Sequence, residues 1–270
     1  MTSATTLVRA PAVAGRFYPP DAAQLAAEVR RYLTLADRKA LTGVCALIAP
    51  HAGYACSGIV AGASFRALTS LPRAERVVYL LGPAHWKAVH GVGLSSATAF
   101  ATPLGEVAVA TERVAHLSGL GERYRIDDAA HAPEHCLEVE LPFLQVTLGT
   151  FRCVPMLFDD AAKPERVAAD LLPLLAAHPE DLVVVSSDLS HYHPYQEAVN
   201  ADNGFLKAVA LGDMAAANGG EACGLLPILC LMSIAEQLDW KAHLLAYANS
   251  GDTCGSRREV VGYGGVAYTE

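Results

Sequence analysis

In the stretch "LVVVSSDLSHYHPY", residues 182–195, the sequence changes from apolar to polar residues, and this change decides the fold. The stretch begins with four apolar, mostly β-branched residues, a composition typical of a strand that is buried on both faces. Serines, an aspartate and a histidine follow within six residues. Because ligands in open α/β sheets bind beyond the carboxyl ends of the strands, we predict that a strand over 181–187 delivers Asp188 and His191 into a crevice.

Two more apolar segments of the chain end in the same way. His51 follows one predicted strand and His85 follows another. If the three strands are neighbours, these imidazoles meet Asp188 at one edge of the sheet. Imidazole nitrogens with an anionic ligand suit a first-row transition metal, either an oxygenase-type iron(II) or a hydrolytic zinc. We therefore predict metal ligands at His51 and His85 and a proton-transfer role for His191; the plainer alternative is that Asp188 only caps its turn.

The rest of the chain alternates between apolar runs typical of strands and patterns typical of helices. Predicted helices cover 21–33, 57–68, 111–117, 136–148, 164–177, 195–210 and 224–238, the second of them starting at Ser57. Predicted strands cover 43–50, 76–84, short pieces within 92–110, 151–157, 181–187, 242–248 and 259–269. Continuous apolar strands followed by helices favour an α/β fold, with a sheet that is covered on both faces and at least partly parallel.

The composition excludes several classes of protein. Of 270 residues, 52% are hydrophobic and 18% are charged, which is typical of a compact globular chain. The formal net charge is −8 and no long basic cluster occurs, which argues against a nucleic-acid partner. The N-terminus shows no secretory signal pattern, and the longest apolar run, 224–235, is too short to cross a bilayer. The seven cysteines include no Cys-x-x-Cys pair, so we expect a reduced, cytoplasmic protein without a membrane partner.

A second cluster of polar residues lies within "HAPEHCLEVELPFLQ", residues 131–145. The i, i+4 spacing of His131 with His135, and of Glu134 with Glu138, would gather each pair on one face of a helix. We assign substrate-binding roles to His135 and Glu138, and also to Tyr54, which follows His51 closely. The alternative is an ordinary helix start with favourably placed acids.

A third candidate is Cys254, in the glycine- and serine-rich segment 247–263. The other cysteines that we consider lie inside apolar segments, whereas Cys254 lies in a polar loop. It could supply a thiolate to the metal and would then be the most reactive thiol of the chain. The alternative is an inert loop thiol.

Seven segments, taken together and in order, resemble the Memo family. They are "VRAPAVAGRFYP", "APHAGYACSG", "LLGPAHW", "EHCLEVELPFLQ", "VVVSSDLSHY", "CGLLPI" and "VVGYGGVAY", and they extend from residue 8 to residue 268. This family is protein B of the AmmeMemoRadiSam system, a bacterial three-gene set that includes a radical-SAM protein. Its fold is similar to that of LigB-type class III extradiol dioxygenases. The resemblance implies one three-layer α/β/α domain over residues 1–270, with a central mixed, largely parallel sheet.

The resemblance also implies roles for individual residues. His51 and His85 would be metal ligands, and His191 would lie where the dioxygenases keep their acid–base histidine, with Asp188 as a second catalytic residue beside it. In the animal branch of the Memo family, the third metal ligand is a cysteine in the C-terminal loop. In this chain that position is taken by Cys254 or Thr253. Asp188 or water could replace this ligand. The cofactor would be a divalent transition metal, Fe(II) in the first place, with copper or zinc as alternatives.

Three functions follow from these observations. The first is a metal-dependent oxidoreductase of the extradiol-dioxygenase type. The second is a non-catalytic binding protein that works with a radical-SAM partner, and the third is a zinc hydrolase that uses the same histidines. In each case a small molecule or a peptide would occupy the cleft.

Overall fold

The computed structural model of the chain describes residues 7–35, 41–72 and 74–270, and strands and helices alternate along most of them. The strands are β1 (Val8–Arg9), β2 (Val44–Ala49), β3 (Val77–Pro83), β4 (Val92–Leu94), β5 (Ala99–Thr102), β6 (Gly105–Val109), β7 (Tyr124–Ile126), β8 (Arg152–Phe158), β9 (Leu182–Ser186), β10 (His191–His193), β11 (Lys241–Asn249) and β12 (Val260–Thr269). The helices are α1 (Ala22–Leu35), α2 (Tyr54–Arg66), α3 (Thr111–Ser118), α4 (Asp128–His131), α5 (Cys136–Leu148), α6 (Pro164–Ala177), α7 (Tyr195–Leu211), α8 (Met214–Asn218), α9 (Leu225–Leu238) and α10 (Ser250–Thr253). The expectation about a secretory signal refers to residues 1–15, and the first six of these lie outside the described part.

Four parallel strands form the centre of the sheet, in the order β8-β3-β9-β2. Every residue of β2, β3 and β9 is buried, which accounts for their uninterrupted apolar sequences. Further strands extend this centre on both sides, and several pair antiparallel, as β12 does with β2 and with β11. The sheet is therefore mixed and largely parallel, which confirms the predicted fold class.

The strands that precede the candidate residues are direct neighbours. β9 pairs with β3 through Val78↔Leu182 and with β2 through Ala46↔Val183, both in parallel register. Since parallel strands end at the same edge, the loops that carry His51, His85 and Asp188 leave the sheet side by side.

Helices cover the sheet on both faces. Consecutive side chains of a strand point to opposite faces, and the end of β9 demonstrates this. The Ser186 hydroxyl contacts Glu140 on α5, whereas the Ser187 hydroxyl accepts the backbone N–H of Gly224 at the start of α9. α5 packs with α1 and α2, and α9 packs with α6. The result is the predicted helix–sheet–helix layering around one hydrophobic core.

Helix α2 begins earlier than its sequence predicts. Its first residue is Tyr54, not Ser57, and a 3-10 turn over Ala67–Ser70 follows it. Gly53 takes the N-cap position, and the Ser57 hydroxyl donates instead to the carbonyl of Ala52 at 2.7 Å. The helix therefore starts three residues after His51, which keeps the loop at the end of β2 short.

A disulfide joins α2 to the C-terminal part of the chain. Cys56 on α2 is bonded to Cys254, which directly follows α10, across a sequence separation of 198 residues. The expectation that all cysteines are reduced is therefore wrong, because two residues far apart in sequence meet when α10 packs against α2.

Among the described helices, none combines the length and the apolar character that crossing a bilayer requires.

Candidate metal centre

His51 is held in a fixed, buried position at the end of β2. Only 2% of its surface is exposed. Its backbone N–H donates to Asp188 Oδ1 at 2.9 Å, and its Nδ1 lies 2.8 Å from the hydroxyl of Ser186. Burial, and then the neighbouring imidazoles of His85 and His135, hold the pKa of His51 well below its ordinary value. The ring is therefore neutral, the form in which imidazole binds a metal.

Glu134 orients two further imidazoles. Its Oε1 lies 2.9 Å from His85 Nδ1 and 3.1 Å from His135 Nδ1. Burial alone would raise the pKa of Glu134, but hydrogen bonds from His135 and His85 outweigh it and keep the pKa well below its ordinary value. The carboxylate also accepts the backbone N–H groups of His85, His135 and Cys136. Glu134 therefore holds both rings through Nδ1, and neither Nε2 has a hydrogen-bond partner among the described residues.

The three imidazoles gather in one crevice. The ring centroids of His51 and His85 are 5.2 Å apart at an interplanar angle of 81°. His135 lies 5.4 Å from His51 and stacks on His85 at 4.8 Å. His135 thus reaches the crevice, as expected, while its role in substrate binding stays a prediction.

The segment that carries His135 is not one helix. α4 ends at His131 and α5 begins at Cys136. His131 points away from the crevice: its Nε2 lies 3.1 Å from the carbonyl of Gly93, and its ring packs edge-on against Phe100. The i, i+4 argument for this segment is therefore wrong, and His135 reaches the crevice because it ends the loop between the two helices.

Cys223 supplies a third donor atom that the sequence reasoning missed. The ligand atoms of His51, His85 and Cys223 all lie within 4.8 Å of one another. Cys223 Sγ is 3.3 Å from His51 Nε2 and accepts the backbone N–H of Asp188 at 3.2 Å. Burial, and then the charge of Asp188, raise the pKa of this thiol to about 12. The thiol keeps its proton until a cation displaces it, as thiolate ligands commonly do.

Cys254 is not part of this cluster. Its sulfur is bonded to Cys56, so it is neither a free thiol nor a thiolate. Thr253, the alternative at this position, uses its hydroxyl to donate to the carbonyl of Asn249 at 3.3 Å. The predictions of a metal ligand and of a reactive thiol at Cys254 are therefore wrong. The physical reason is the short helix α10, capped by Asn249 and Asp252, which places the residue after it against α2.

Asp188 and His191 flank the cluster. The Asp188 carboxylate is 5% exposed and accepts the backbone N–H groups of His51 and Ala52. Burial raises the pKa of Asp188 to about 6. His191 is partly exposed, and its Nδ1–H donates to the carbonyl of Leu189 at 2.8 Å. Nε2 of His191 is left for proton exchange, and the catalytic roles of both residues stay predictions.

Glu138 and Tyr54 have structural tasks instead of the predicted substrate contacts. The buried Glu138 carboxylate pairs with the Arg9 guanidinium and accepts the backbone N–H groups of Ala12 and Val13 at 2.7 and 3.0 Å. The buried Tyr54 hydroxyl donates to the carbonyl of Val139 at 2.8 Å. These bonds fix the N-terminal segment and α2 to α5, and they leave neither side chain free for a ligand.

A cavity of about 770 Å³ opens beside the cluster. His85 and Cys223 line it on the side of the cluster, and Trp86, Leu225 and Leu226 contribute apolar walls. Its size and partly apolar lining suit a small organic molecule.

Comparison with known proteins agrees with this architecture. The family model described as "Memo-like protein" matches residues 9–267. The chain belongs to the Memo family. Curated relatives, each called a MEMO1 family protein, include one from Aeropyrum pernix that is 38% identical, covering 96% of this chain and 99% of the relative. One from Sulfolobus acidocaldarius is 34% identical, covering 97% and 99%.

A solved structure shares the fold of this Memo-family chain. It is that of the uncharacterized protein JW3007 from Escherichia coli K12, with a TM-score of 0.53, and the match covers 83% of this chain and 99% of that one. Since the two sequences are 14% identical, the match concerns the fold alone.

The donor set of the cluster fits a transition metal. Two imidazoles and one thiol form a mixed nitrogen and sulfur set of the kind that zinc, copper and iron accept in proteins. Both imidazoles make a second hydrogen bond through Nδ1, to Ser186 and to Glu134, which is the arrangement that usually orients metal-binding histidines. In the sequence, the feature that could have drawn attention to Cys223 is its place at the start of "CGLLPI", immediately before the buried helix α9.

Proposed function

We propose that this protein is a metal-dependent oxidoreductase of the extradiol-dioxygenase type. His51, His85 and Cys223 would hold one divalent transition metal, Fe(II) in the first place, and a small molecule would bind in the adjoining cavity. The observation that carries the proposal is the mutual proximity of the three donor atoms, within 4.8 Å, at the carboxyl edge of three neighbouring strands. When bound, such an ion supplies Lewis-acid and redox chemistry.

The residues of the chain would prepare the substrate. Trp86, Leu225 and Leu226 on the wall of the adjoining cavity would offer apolar contacts to the bound molecule. His191 would take a proton from the substrate through its Nε2, since its Nδ1 is hydrogen-bonded to the carbonyl of Leu189. Asp188 would hold the His51 loop through its two backbone hydrogen bonds.

A zinc hydrolase is the second candidate, and Asp188 favours it. With a pKa raised to about 6 by burial, this carboxylate accepts a proton near neutral pH more readily than an ordinary aspartate does. The identity of the metal distinguishes the two candidates. A cytoplasmic location, a peptide ligand and a link to a radical-SAM partner stay predictions that rest on composition and on the resemblance.

The proposal is tested by metal content and oxygen uptake. The protein is purified without oxygen or chelators, and the parent is compared with Cys223→Ser and Cys254→Ser. We expect Cys223→Ser to lose most of its iron, and with it any oxygen uptake with catechols, whereas Cys254→Ser keeps its iron. Equal iron content in the parent and Cys223→Ser would remove Cys223 from the site, and a parent that takes up zinc alone would favour the hydrolase.

A further inference from the structure

Ser186 stands between His51 and a buried acid. Its hydroxyl oxygen lies 2.8 Å from each of three atoms: His51 Nδ1, Glu140 Oε1 and the carbonyl oxygen of Cys136. Ser186 and Glu140 are both 0% exposed, so no solvent molecule completes their hydrogen bonding from outside. Every hydrogen in this group must therefore be assigned to one of these contacts.

Glu140 has the surroundings of a neutral acid. In the described part of the chain, no cation lies within ion-pair distance of it, and its Oε2 has no hydrogen-bond partner. Burial, and then the negative charge of Asp188, hold the pKa of Glu140 well above its ordinary value despite the contact with Ser186. A carboxylic acid with one hydrogen to donate fits this environment better than an ionised carboxylate.

The hydrogens of the group can be assigned by counting donors and acceptors. A serine hydroxyl donates one hydrogen and accepts two. The carbonyl of Cys136 can only accept, so it takes the single hydrogen of Ser186. The two remaining contacts must then be donated to Ser186, one by the acid group of Glu140 and the other by Nδ1–H of His51. This assignment satisfies all three contacts.

The assignment has a consequence for the crevice. If His51 carries its hydrogen on Nδ1, its Nε2 has a free lone pair, and that nitrogen lies 3.3 Å from Cys223 Sγ. With the hydrogen on Nε2 instead, His51 would present a donor to the metal position and could not bind a cation there.

We propose that Ser186, held by the acid group of Glu140, is a positioning residue that fixes His51 in its Nδ1-protonated tautomer and so keeps Nε2 free for the metal. The proposal deepens the proposed metal site and rests on it for its function, although the tautomer itself is a property of the metal-free protein.

The test reads the tautomer directly in the full-length, metal-free protein. Nitrogen-15 NMR of the histidine rings distinguishes a protonated from an unprotonated nitrogen, and His51→Gln assigns the resonances. We expect Nδ1 of His51 to be protonated in the parent and in Ser186→Thr, which keeps the hydroxyl. In Ser186→Ala we expect the hydrogen to move to Nε2, because Nδ1–H would have lost its acceptor. An unchanged tautomer in Ser186→Ala would overturn the proposal.

Zn²⁺ titration calorimetry on the same proteins measures the functional consequence. We expect Ser186→Ala to bind Zn²⁺ about 10- to 100-fold more weakly than the parent, the usual cost of removing the partner of a metal-binding histidine. Glu140→Gln should keep both the tautomer and the affinity, because the side-chain amide can donate to the same serine oxygen. Loss of affinity in Glu140→Gln would show that a negative charge is needed and would contradict the role of a neutral acid.

A matched control separates positioning from general destabilisation. Glu138→Gln alters another buried glutamate of α5, whose partners belong to the N-terminal segment, so its tautomer and Zn²⁺ affinity should match those of the parent. The tautomer measurement also tests the role of Ser186 independently of the proposed metal centre. If Cys223→Ser binds metal like the parent, the proposed centre fails, whereas the tautomer measured without metal still decides the role of Ser186.

Discussion

Two residues of the crevice, His51 and Cys223, are made uncharged by the same physical cause. Burial lowers the pKa of the His51 imidazole and raises the pKa of the Cys223 thiol, and each change disfavours the ionised form. A cation that binds between them can be coordinated by His51 directly, but it must displace a proton from Cys223. Metal uptake should therefore release a proton from Cys223 and none from His51 at neutral pH.

At the same scale, His191 should act in turnover and not in metal binding. We expect His191→Gln to keep the metal content of the parent while the rate of oxygen uptake with an accepted catechol falls about a hundredfold or more, as for a lost general base. His193→Gln serves as the control, since His193 is a partly exposed residue paired with Glu221. Loss of metal from His191→Gln would make His191 a ligand, and parent-like turnover would remove it from the mechanism.

At the scale of elements, the loop after β2 is fixed from both ends. Asp188, at the end of β9, holds the backbone of His51, and the disulfide of Cys56 holds the first turns of α2 to the segment after α10. The helices α1 and α2 also approach closely, because a Cβ on Gly62 would lie 2.6 Å from the backbone of Tyr32. These contacts fix the position of the crevice within the protein itself.

The disulfide should contribute to stability without contributing to the metal site. We expect Cys254→Ser to lower the free energy of unfolding by about 2–5 kcal/mol, the usual range for a native disulfide. Chemical denaturation with and without a reducing agent measures this. The reductant should destabilise the parent to the same extent and leave Cys254→Ser unchanged. A parent that is insensitive to the reductant would mean that the bond does not stabilise the fold.

At the scale of the whole molecule, buried histidines make stability depend on pH. Burial lowers the pKa of His131 from its ordinary 6.5 to about 4. The unfolded chain takes up a proton below pH 6.5, and the folded chain does so only near pH 4. The stabilising contribution is therefore complete above pH 6.5 and is lost as the pH falls toward 4, by about 3 kcal/mol in total.

Urea unfolding at a series of pH values measures this loss. Relative to the parent, His131→Asn should show a smaller decrease in unfolding free energy between pH 6.5 and pH 4, although it is less stable at pH 7. His116→Gln, at an exposed position of α3, should follow the parent throughout. If the free energies of unfolding of His131→Asn and the parent fell in parallel between pH 6.5 and pH 4, His131 would not be the cause of the loss.

Strands and helices, which depend on local sequence patterns, could be predicted. Contacts between residues that are distant in sequence could not. The apolar runs before His51, His85 and Asp188 indicated buried strands, and those strands are neighbours. Cys223 stands out in the sequence as the cysteine of "CGLLPI", but its local pattern could not place it in the crevice, which it reaches from the loop before α9. Cys254 was misassigned because its partner, Cys56, is remote in sequence and depends on contact between α10 and α2.

The order of the central strands also has a consequence for how the protein is made. The proposed ligands His51, His85 and Cys223 come from three remote parts of the chain, and β9, which separates the strands of the first two, is synthesised long after both. Short-range contacts alone cannot assemble such a site during synthesis. Unlike a zinc finger, whose ion drives folding, this chain must complete its sheet before it can capture a metal. Loading of the proposed metal centre would therefore follow the folding of the sheet.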